Sequence, residues 1–423
     1  MDDPLSRRGR RLIDDSRLAA YIAVNLARGD DRYEPTLNPD GYVALCTAEN
    51  KLVWDLLGPK LLEAGNLPHR ALGYDDMTGT PGFRRRVAGF IGRTVFGRPV
   101  DPDAVVVLAG AGTVLEALFH AIADPGDAVL VPTPSYSGFW LDLETRDALS
   151  IIPVHTAPQE GFRLTTDLLD RALRGTDRPV RALLFTSPDN PLGRVYSATE
   201  VDEVLDWCDR NGLHVVVDEI YALSVFGDRP FTSAGSRRPD LGDRTHVVWG
   251  FSKDFGMSGL RCGVLVCESA DVRAAVAAQS YWGAVSGATQ HLLAAMLADT
   301  AWVDGYLSEM RSRLGTAHAA VCSALDEHRI PHLRSSAGHF LLCDLRSHLD
   351  EPTWAAEDRL WRRLLDGANV NLTPGSACRV SEPGFFRLCF AAASRPTVVE
   401  GVRRLAATVG GGGPGVAAHR RDG

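Results

Sequence analysis

Lysine is rare in this chain, and one of its three lysines lies in a loop rich in glycine and serine. The lysines are Lys51, Lys60 and Lys253, and arginine supplies most of the remaining positive charge. Lys253 follows the apolar run 247–249 and lies within the Gly/Ser-containing segment 250–263. Attack on a carbonyl requires an amine that can lose its proton, which a guanidinium cannot do. We therefore interpret Lys253 as a candidate nucleophile, with an ordinary loop lysine as the alternative.

A run of small residues follows the strand-like segment 105–108 and begins the next helix. In this run, residues 109–113, the backbone N–H groups of Ala111 and Gly112 can approach an anion at the start of the helix. Arg261 is a permanent cation that can hold a phosphate nearby. A tight strand-to-helix turn explains such a run equally well. The pattern indicates a phosphate cradle but leaves the plain turn open.

Three further side chains follow apolar runs, where the ligands of open α/β sheets collect. Asp218 comes directly after the run 213–217, where a carboxylate is costly unless a cation such as a protonated ring nitrogen pairs with it. Asn190 offers an amide in a loop stiffened by two prolines, and Tyr136 offers an aromatic face. Helix capping, a plain turn and core packing are the respective alternatives. Together with a lysine and a phosphate cradle, these groups describe a site for pyridoxal 5′-phosphate.

Arg387 is unusual because it lies inside the apolar, strand-like run 385–390. A buried arginine needs an anionic partner. That partner is either a structural acid or the carboxylate of a substrate, which the planar guanidinium binds with two parallel hydrogen bonds.

The order of the predicted elements indicates an α/β fold. Strand-like segments alternate with helical ones at residues 105–108, 128–131, 150–154, 180–185, 213–217 and 246–249. Buried strands separated by helical crossovers predict a mostly parallel, doubly wound sheet. Beyond residue 271 helices dominate, including a long one at 302–328, and the strand-like runs 339–344 and 385–390 follow. This change predicts a second, smaller α+β domain.

Composition and charge favour small-molecule chemistry. The chain has 423 residues, enough for two domains, and its formal charge of −8 argues against general binding to nucleic acid or to a membrane surface. Its eight cysteines are scattered without metal-ligand spacing, which predicts a reducing cytoplasm and no structural metal. The polar N-terminus lacks an apolar core, and no window is long enough to span a membrane. We therefore expect neither a secretory signal nor a membrane segment.

Five segments of the chain carry a resemblance to known enzymes: 38–50, 123–136, SPDNPLG at 187–193, SKDFGMSGLR at 252–261, and 374–391. Through them the chain, from about residue 38 to residue 407, resembles the fold-type-I pyridoxal-phosphate enzymes of the aspartate aminotransferase superfamily. Within that superfamily it is most similar to the 1-aminocyclopropane-1-carboxylate synthases and their bacterial relatives. The resemblance implies a large domain around a mostly parallel seven-stranded sheet. The expected division is an N-terminal arm 1–40, a small α+β domain of 41–64 and 309–409, a large cofactor-binding domain 65–308, and a disordered tail 410–423.

The resemblance also implies a role for each candidate residue. Lys253 would carry the cofactor covalently and move the substrate's α-proton, and Asp218 would hold the ring nitrogen protonated. Arg387 would bind the substrate α-carboxylate, and Glu49 would lie near the sulfonium and amino end of S-adenosylmethionine, with helix capping as its alternative. Tyr136 would stack on the cofactor ring and would also take part in catalysis. The residues implied to contact the cofactor are Ala111, Gly112, Tyr136, Asn190, Asp218, Tyr221, Ser252, Lys253 and Arg261.

Met77 departs from the family pattern, which has a tyrosine that reaches from the neighbouring subunit toward the cofactor phosphate and the substrate. Without the phenol, the site loses a hydrogen-bond donor and gains an apolar, adaptable side chain. The resemblance also implies a homodimer with shared active sites, to which Met77 and the region around Thr289 contribute across the interface.

The predicted reaction starts from an α-amino acid, S-adenosylmethionine or a similar γ-activated compound. Removal of the Cα proton and loss of methylthioadenosine from Cγ would be followed by elimination, cyclisation or capture by a second substrate. An ordinary aminotransferase, which passes an amino group between an amino acid and a 2-oxo acid, is the alternative. A non-catalytic regulator is a third reading, against which the presence of Lys253 with Asp218 and Arg387 argues.

Overall fold

The computed structural model describes residues 4–14 and 18–410 of the chain. The strands in this part of the chain are β1 (Val43–Ala44), β2 (Val105–Leu108), β3 (Ala128–Thr133), β4 (Ser150–His155), β5 (Val180–Thr186), β6 (His214–Asp218), β7 (Thr245–Gly250), β8 (Gly263–Cys267), β9 (His332–Leu333), β10 (Phe340–Asp344), β11 (Val370–Asn371), β12 (Thr373–Pro374) and β13 (Phe385–Cys389). The helices are α1 (Arg7–Asp14), α2 (Ala20–Ala27), α3 (Trp54–Glu63), α4 (Pro81–Ile91), α5 (Ala111–Ile122), α6 (Phe139–Glu144), α7 (Thr166–Arg174), α8 (Ala198–Arg210), α9 (Phe251–Asp254), α10 (Ala270–Gly283), α11 (Gly287–Ala298), α12 (Thr300–Glu327), α13 (Trp354–Arg362) and α14 (Arg395–Gly410).

The main sheet has seven strands in the order β2-β8-β7-β6-β5-β3-β4. β8 runs antiparallel to β2 and β7, and the other neighbouring strands are parallel. The central strands are almost continuously apolar and buried, as β7 is, a pattern typical of parallel sheets that helices cover on both faces. The predicted α/β fold with a mostly parallel seven-stranded sheet is confirmed.

The strand β8 lies outside the segments that the sequence predicts as strands. It follows the loop 251–262 and returns beside β7, so that Gly263 pairs with Gly250. The prediction depends on strands that alternate with helical crossovers. No crossover helix precedes β8, because this short strand runs back beside β7. Its consequence is that the loop carrying Lys253 and Arg261 begins and ends at the same edge of the sheet.

A second, antiparallel sheet lies in the C-terminal part of the chain, in the order β12-β13-β10-β9. β1 pairs in parallel with β11, which joins a segment near the N-terminus to this part of the chain. We propose on this basis the two-domain division given above. Gly410 is the last residue of α14, and the rest of the predicted tail, residues 411–423, lies outside the described residues.

All eight cysteines are buried and unpaired. Across residues 4–14 and 18–410, no helix combines the length and the apolar character needed to cross a membrane. The same residues contain no cluster of three or more His, Cys, Asp or Glu side chains that could hold a metal ion.

Candidate active site

Lys253 lies on the single turn of α9, directly after the buried strand β7. Its Nζ donates a hydrogen bond to the carbonyl oxygen of Ala48 at 2.8 Å. Burial lowers the pKa of Lys253, and the nearby charge of Arg387 lowers it further. A depressed pKa increases the fraction of neutral amine, which is the form that attacks a carbonyl or accepts a proton.

The turn that carries Lys253 is held in place by its neighbour Asp254. The Asp254 carboxylate accepts hydrogen bonds from Trp249 Nε1 at 2.9 Å and from the backbone N–H of Leu223 at 3.1 Å. Asp254 is fully buried, so these contacts fix the backbone on which the lysine is mounted. The amine of Lys253 therefore projects from a rigid element.

Asp218 is the last residue of β6 and is 6% exposed. Its Oδ1 accepts a hydrogen bond from the backbone N–H of Ile220 at 3.2 Å, which is a turn contact. The next helical element begins only at residue 234, so Asp218 does not cap a helix. Burial raises the pKa of Asp218 to about 7. A buried carboxylate whose pKa is raised in this way is unfavourable when it is charged and alone, and a cation that pairs with it stabilises its charged form.

Two buried polar atoms at the site lack hydrogen-bond partners among the described residues. They are the hydroxyl of Tyr221 and the Nε of Arg387. Buried polar groups are nearly always hydrogen-bonded in native proteins, so each of these atoms indicates a missing partner. A cofactor oxygen and a substrate carboxylate are partners of the required chemistry.

The start of α5 and Arg261 form a cationic end of the site. Gly110, with φ 103°, turns the chain from β2 into the helix, a backbone conformation that favours glycine. The guanidinium of Arg261 lies against this turn, so that a Cβ added at Gly110 would stand 2.5 Å from Nη2. Helix N–H groups facing a guanidinium make a suitable phosphate site.

Arg387 lies in the middle of β13 and is 2% exposed. Its guanidinium donates to Asn190 Oδ1 at 2.9 Å, to the Cys46 carbonyl at 2.7 Å and to Thr373 Oγ1 at 3.1 Å. All three acceptors are neutral, so these contacts are not the structural salt bridge that the sequence left open. A buried cation without a counter-ion is costly, and an anionic ligand would relieve that cost.

Tyr136 forms the aromatic wall of the site. It is 40% exposed, so its ring is not packed in the hydrophobic core. Its ring lies over Gly138, where an added Cβ would stand 2.3 Å from Cε1, and meets Phe139 edge-on with ring centres 5.3 Å apart. Beside it, the hydroxyls of Tyr21 and Ser137 are 2.8 Å apart. Tyr21 closes the site from α2, a contribution that no sequence motif indicates.

The structure brings most of the predicted residues to one cavity of about 400 Å³. Asp142, a half-buried carboxylate that the sequence did not indicate, lines it as well. Burial and the neighbouring Asp218 raise the pKa of Asp142 to about 7. The predicted residues that line the cavity are Ala111, Gly112, Tyr136, Asn190, Asp218, Tyr221, Ser252, Lys253, Arg261 and Arg387.

Two predicted substrate residues do not line this cavity. Glu49 accepts a hydrogen bond from Ser258 at 3.1 Å, and its carboxylate is 3.5 Å from Lys51 Nζ. Ser258 does line the cavity, so Glu49 contacts one of the residues that line it. Glu49 does not cap α3, whose N-cap residue is Val53. Met77 lines a separate surface groove.

The residues present fit pyridoxal 5′-phosphate. The lysine amine, the buried acid and the unpartnered phenol suit the aldehyde, the ring nitrogen and the ring oxygen of this molecule, and the helix start with Arg261 suits its phosphate. No single contact decides this fit. The combination of groups in one cavity does.

We expect Asp218→Asn to stabilise the cofactor-free protein at about pH 8 and to weaken cofactor binding. Because burial raises the pKa of Asp218 from 3.8 to about 7, ionisation of this carboxyl destabilises the fold progressively as the pH rises between these values. The gain for the variant should reach on the order of 4 kcal/mol at about pH 8 and nearly vanish at about pH 4. Thermal unfolding at both pH values and fluorescence titration with the cofactor measure the two effects. Equal destabilisation at both pH values would contradict the assignment.

Comparisons with known proteins identify the family of this chain. Residues 43–405 match the sequence profile of the family described as Aminotransferase class I and II. The chain is 35% identical over 403 residues to 1-aminocyclopropane-1-carboxylate synthase 8 of Arabidopsis thaliana, covering 90% of this chain and 86% of that protein. It is 38% identical over 413 residues to 1-aminocyclopropane-1-carboxylate synthase 3 of Oryza sativa subsp. japonica, with 91% of each covered. Thermus thermophilus aspartate aminotransferase with maleate shares the fold, with a TM-score of 0.79 at 24% identity over 96% of this chain and 100% of that one.

Proposed function

Because this chain belongs to the class I and II aminotransferase family, and is therefore a pyridoxal-phosphate-dependent enzyme, we propose that it acts on S-adenosylmethionine or a similar γ-activated amino acid. The observation that carries the proposal is the pairing of Lys253 with an uncompensated Arg387 in one cavity, in a chain whose similar relatives are 1-aminocyclopropane-1-carboxylate synthases. Glu49, which accepts a hydrogen bond from the cavity residue Ser258, would supply a carboxylate of the charge that suits a sulfonium.

The residues that bind the cofactor in this proposal line the cavity described above. Pyridoxal 5′-phosphate, when bound, supplies a protonated ring that withdraws electrons from the substrate Cα. Asp218 keeps the ring nitrogen protonated, since this buried carboxyl gains a cationic partner. Tyr221 supplies the ring oxygen with a hydrogen bond. Arg261 and the first turn of α5 hold the phosphate.

The residues that bind the substrate determine which of its bonds can react. Arg387 fixes the α-carboxylate, and Lys253 takes the Cα proton at Nζ. The Cγ–S bond breaks with its electron pair, so that the sulfonium leaves as the neutral thioether methylthioadenosine. In cyclisation, the electron pair left at Cα forms the Cα–Cγ bond. In replacement, a second substrate forms the bond to Cγ with its own electron pair, and the proton held by Lys253 returns to Cα. In elimination, Cβ loses a proton, the electron pair of that C–H bond forms a Cβ–Cγ double bond, and the proton held by Lys253 returns to Cα.

Mass spectrometry of the products from S-adenosylmethionine, with and without added nucleophiles, tests this proposal. We expect release of methylthioadenosine together with a product that keeps the four-carbon amino-acid skeleton. A mass increased by the added nucleophile identifies replacement, and chromatographic retention beside standards separates the cyclised product from its isomer formed by elimination. Formation of the corresponding 2-oxo acid without methylthioadenosine would instead establish an ordinary aminotransferase. Absence of methylthioadenosine from holoenzyme that still binds its cofactor would refute the proposed substrate.

A homodimer with shared active sites is part of the proposal. Met77 lines a groove of about 720 Å³ together with Tyr74 and Tyr281, which are 98% and 73% exposed. Trp282, at the end of the same helix as Tyr281, is 78% exposed. An exposed aromatic surface of this kind is typical of a protein interface.

We expect light scattering to give twice the chain mass, and Tyr281→Asp to shift the protein toward the monomer with loss of activity. Leu37→Asp is the matched control, because Leu37 is also strongly exposed, at 87%, but lies outside the groove. A wild-type monomer that retains activity would contradict the shared site. In that case Met77 would have no access to an active site.

A cytoplasmic location is also proposed. Its support is that all eight cysteines are unpaired thiols, as expected in a reducing compartment.

A further inference from the structure

Asp189 is a buried acid in the loop 187–193, and the proposed reaction does not use it. The residue is 6% exposed. Its Oδ1 accepts a hydrogen bond from the backbone N–H of Leu192 at 3.1 Å, and its Oδ2 accepts one from the hydroxyl of Tyr196 at 3.2 Å. Burial raises the pKa of Asp189 to about 7, and these two hydrogen bonds oppose that rise. A buried carboxyl is costly unless it is hydrogen-bonded, and here both of its oxygens are.

The backbone of Asp189 closes the same loop. Its N–H donates to the carbonyl of Arg194 at 3.0 Å, and its carbonyl accepts a hydrogen bond from the N–H of Gly193 at 2.9 Å. Together with the contact between Oδ1 and Leu192, three hydrogen bonds join Asp189 to the far end of the loop. Asn190 directly follows Asp189 in the sequence, so it projects from a turn that these bonds fix.

Asn190 lines the cavity and contacts Arg387. Its Oδ1 accepts a hydrogen bond from Arg387 Nη1 at 2.9 Å. A guanidinium only donates, so the amide oxygen faces Arg387 and the amide N–H groups remain for another acceptor. The ring oxygen of pyridoxal 5′-phosphate, which carries negative charge, is an acceptor of this kind. A displaced Asn190 would therefore lose a contact with the arginine and a donor to the cofactor at the same time.

We propose that Asp189 is a positioning residue that holds Asn190 where its amide serves Arg387 on one side and the ring oxygen of the cofactor on the other. A donor that is fixed before the ligand binds avoids the entropy cost of ordering a loop at that moment. The inference rests on the proposed cofactor site and on the proposed role of Arg387, but not on the leaving group of the substrate.

The absorbance of the holoenzyme across pH provides a direct test. The cofactor bound at Lys253 changes colour when the nitrogen that joins the two loses a proton. A donor to the ring oxygen lowers the pH of this change, because it stabilises the negative charge of the oxygen. We expect Asp189→Leu to raise that pH by about one pH unit, because the amide donor is no longer held in place. The loop should persist in this variant, because the carbonyl of Gly193 accepts hydrogen bonds from the N–H groups of Ser336 and Ala337.

Binding of methionine, an α-amino acid without the activated leaving group, gives a second readout. Asn190 Oδ1 is one of three acceptors for the Arg387 guanidinium, so its displacement should loosen the group proposed to bind the α-carboxylate. We expect Asp189→Leu to bind methionine about fivefold more weakly, as followed by the change in cofactor absorbance. A variant that is only less stable should keep the wild-type affinity well below its melting temperature.

Two further variants decide the case even where Asp189→Leu fails to fold. Asparagine keeps an acceptor for the N–H of Leu192 and can donate to the phenol oxygen of Tyr196, so Asp189→Asn should retain the wild-type values of both readouts. Tyr196→Phe leaves Oδ2 without its donor and should shift both readouts in the same direction as Asp189→Leu, by a smaller amount. Wild-type values in Tyr196→Phe, or a larger shift in Asp189→Asn than in Tyr196→Phe, would overturn the proposal.

Asp170→Leu is the matched control. Asp170 also accepts a hydrogen bond from a buried aromatic side chain, at 2.8 Å from Trp207 Nε1, but neither residue lines the cavity. This variant should lower the melting temperature and leave both readouts unchanged. Equal shifts in Asp170→Leu would mean that the readouts follow stability, and would reject the positioning role. Shifted readouts in Asp189→Leu, together with no release of methylthioadenosine by the wild-type enzyme, would reject the proposed substrate and keep this inference.

Discussion

Lys253→Ala will lower turnover at least about 10³-fold, because the variant loses both the covalent attachment point and the base that removes the Cα proton. We expect so large a loss of turnover because Lys253 supplies the amine of the cavity, whose other lining residues include acids, phenols and arginines. Steady-state release of product from the cofactor-saturated enzyme measures the effect.

Lys253→Arg is the control for charge, since it keeps a cation but has no proton to release at ordinary pH. We expect this variant to be as inactive as Lys253→Ala. Added small amines should partly restore Lys253→Ala, with rates that follow the pKa of the amine. Activity above about one tenth of wild type in either variant would mean that another group removes the proton.

Arg387→Lys will reduce kcat/KM about 10²-fold. Lysine keeps the charge but cannot make the two parallel hydrogen bonds to a carboxylate, and each hydrogen bond to a charged group contributes about 1.5–3 kcal/mol. Cofactor binding should change less than kcat/KM, because the contacts of Arg387 include one cofactor-binding residue, Asn190, but neither Arg261 nor the first turn of α5. Kinetics with S-adenosylmethionine and cofactor titration separate the two effects.

The matched control is Arg404→Lys. Arg404 is also a buried arginine, at 9% exposure, but it bonds to Glu400 and to the backbone carbonyl of Gly41. This variant should lower the melting temperature without changing kcat/KM. If Arg387→Lys behaves in the same way as Arg404→Lys, then Arg387 has a structural role only.

The cofactor end of the site was predictable because its residues follow apolar strands. Asp218 ends β6, and Lys253 follows β7. The topology of a parallel sheet brings such strand ends to one edge, so their order in the sequence is sufficient information. The resemblance to known enzymes then assigned roles that spacing alone left open.

Other parts of the site depend on contacts between distant segments. Tyr21 reaches Ser137 over 116 positions, and Ser224 reaches His339 over 115. His339 directly precedes an apolar strand, where its residue type carries no local signal. Asp142 lies on α6 among ordinary helical residues. Packing between segments that are distant in the sequence places such groups, and periodicity in the sequence does not encode that packing.

The antiparallel strand β8 has a consequence for ligand length. Gly250 and Gly263 are paired neighbours, and a Cβ on Gly263 would stand 2.4 Å from the carbonyl carbon of Gly110, so both ends of the loop 251–262 are pinned. Lys253 and Arg261 therefore lie on one loop, and the backbone of this loop sets the distance between their Cα atoms. We therefore expect an analogue with one more carbon between its aldehyde and its phosphate to bind more weakly than pyridoxal 5′-phosphate, which a fluorescence titration measures.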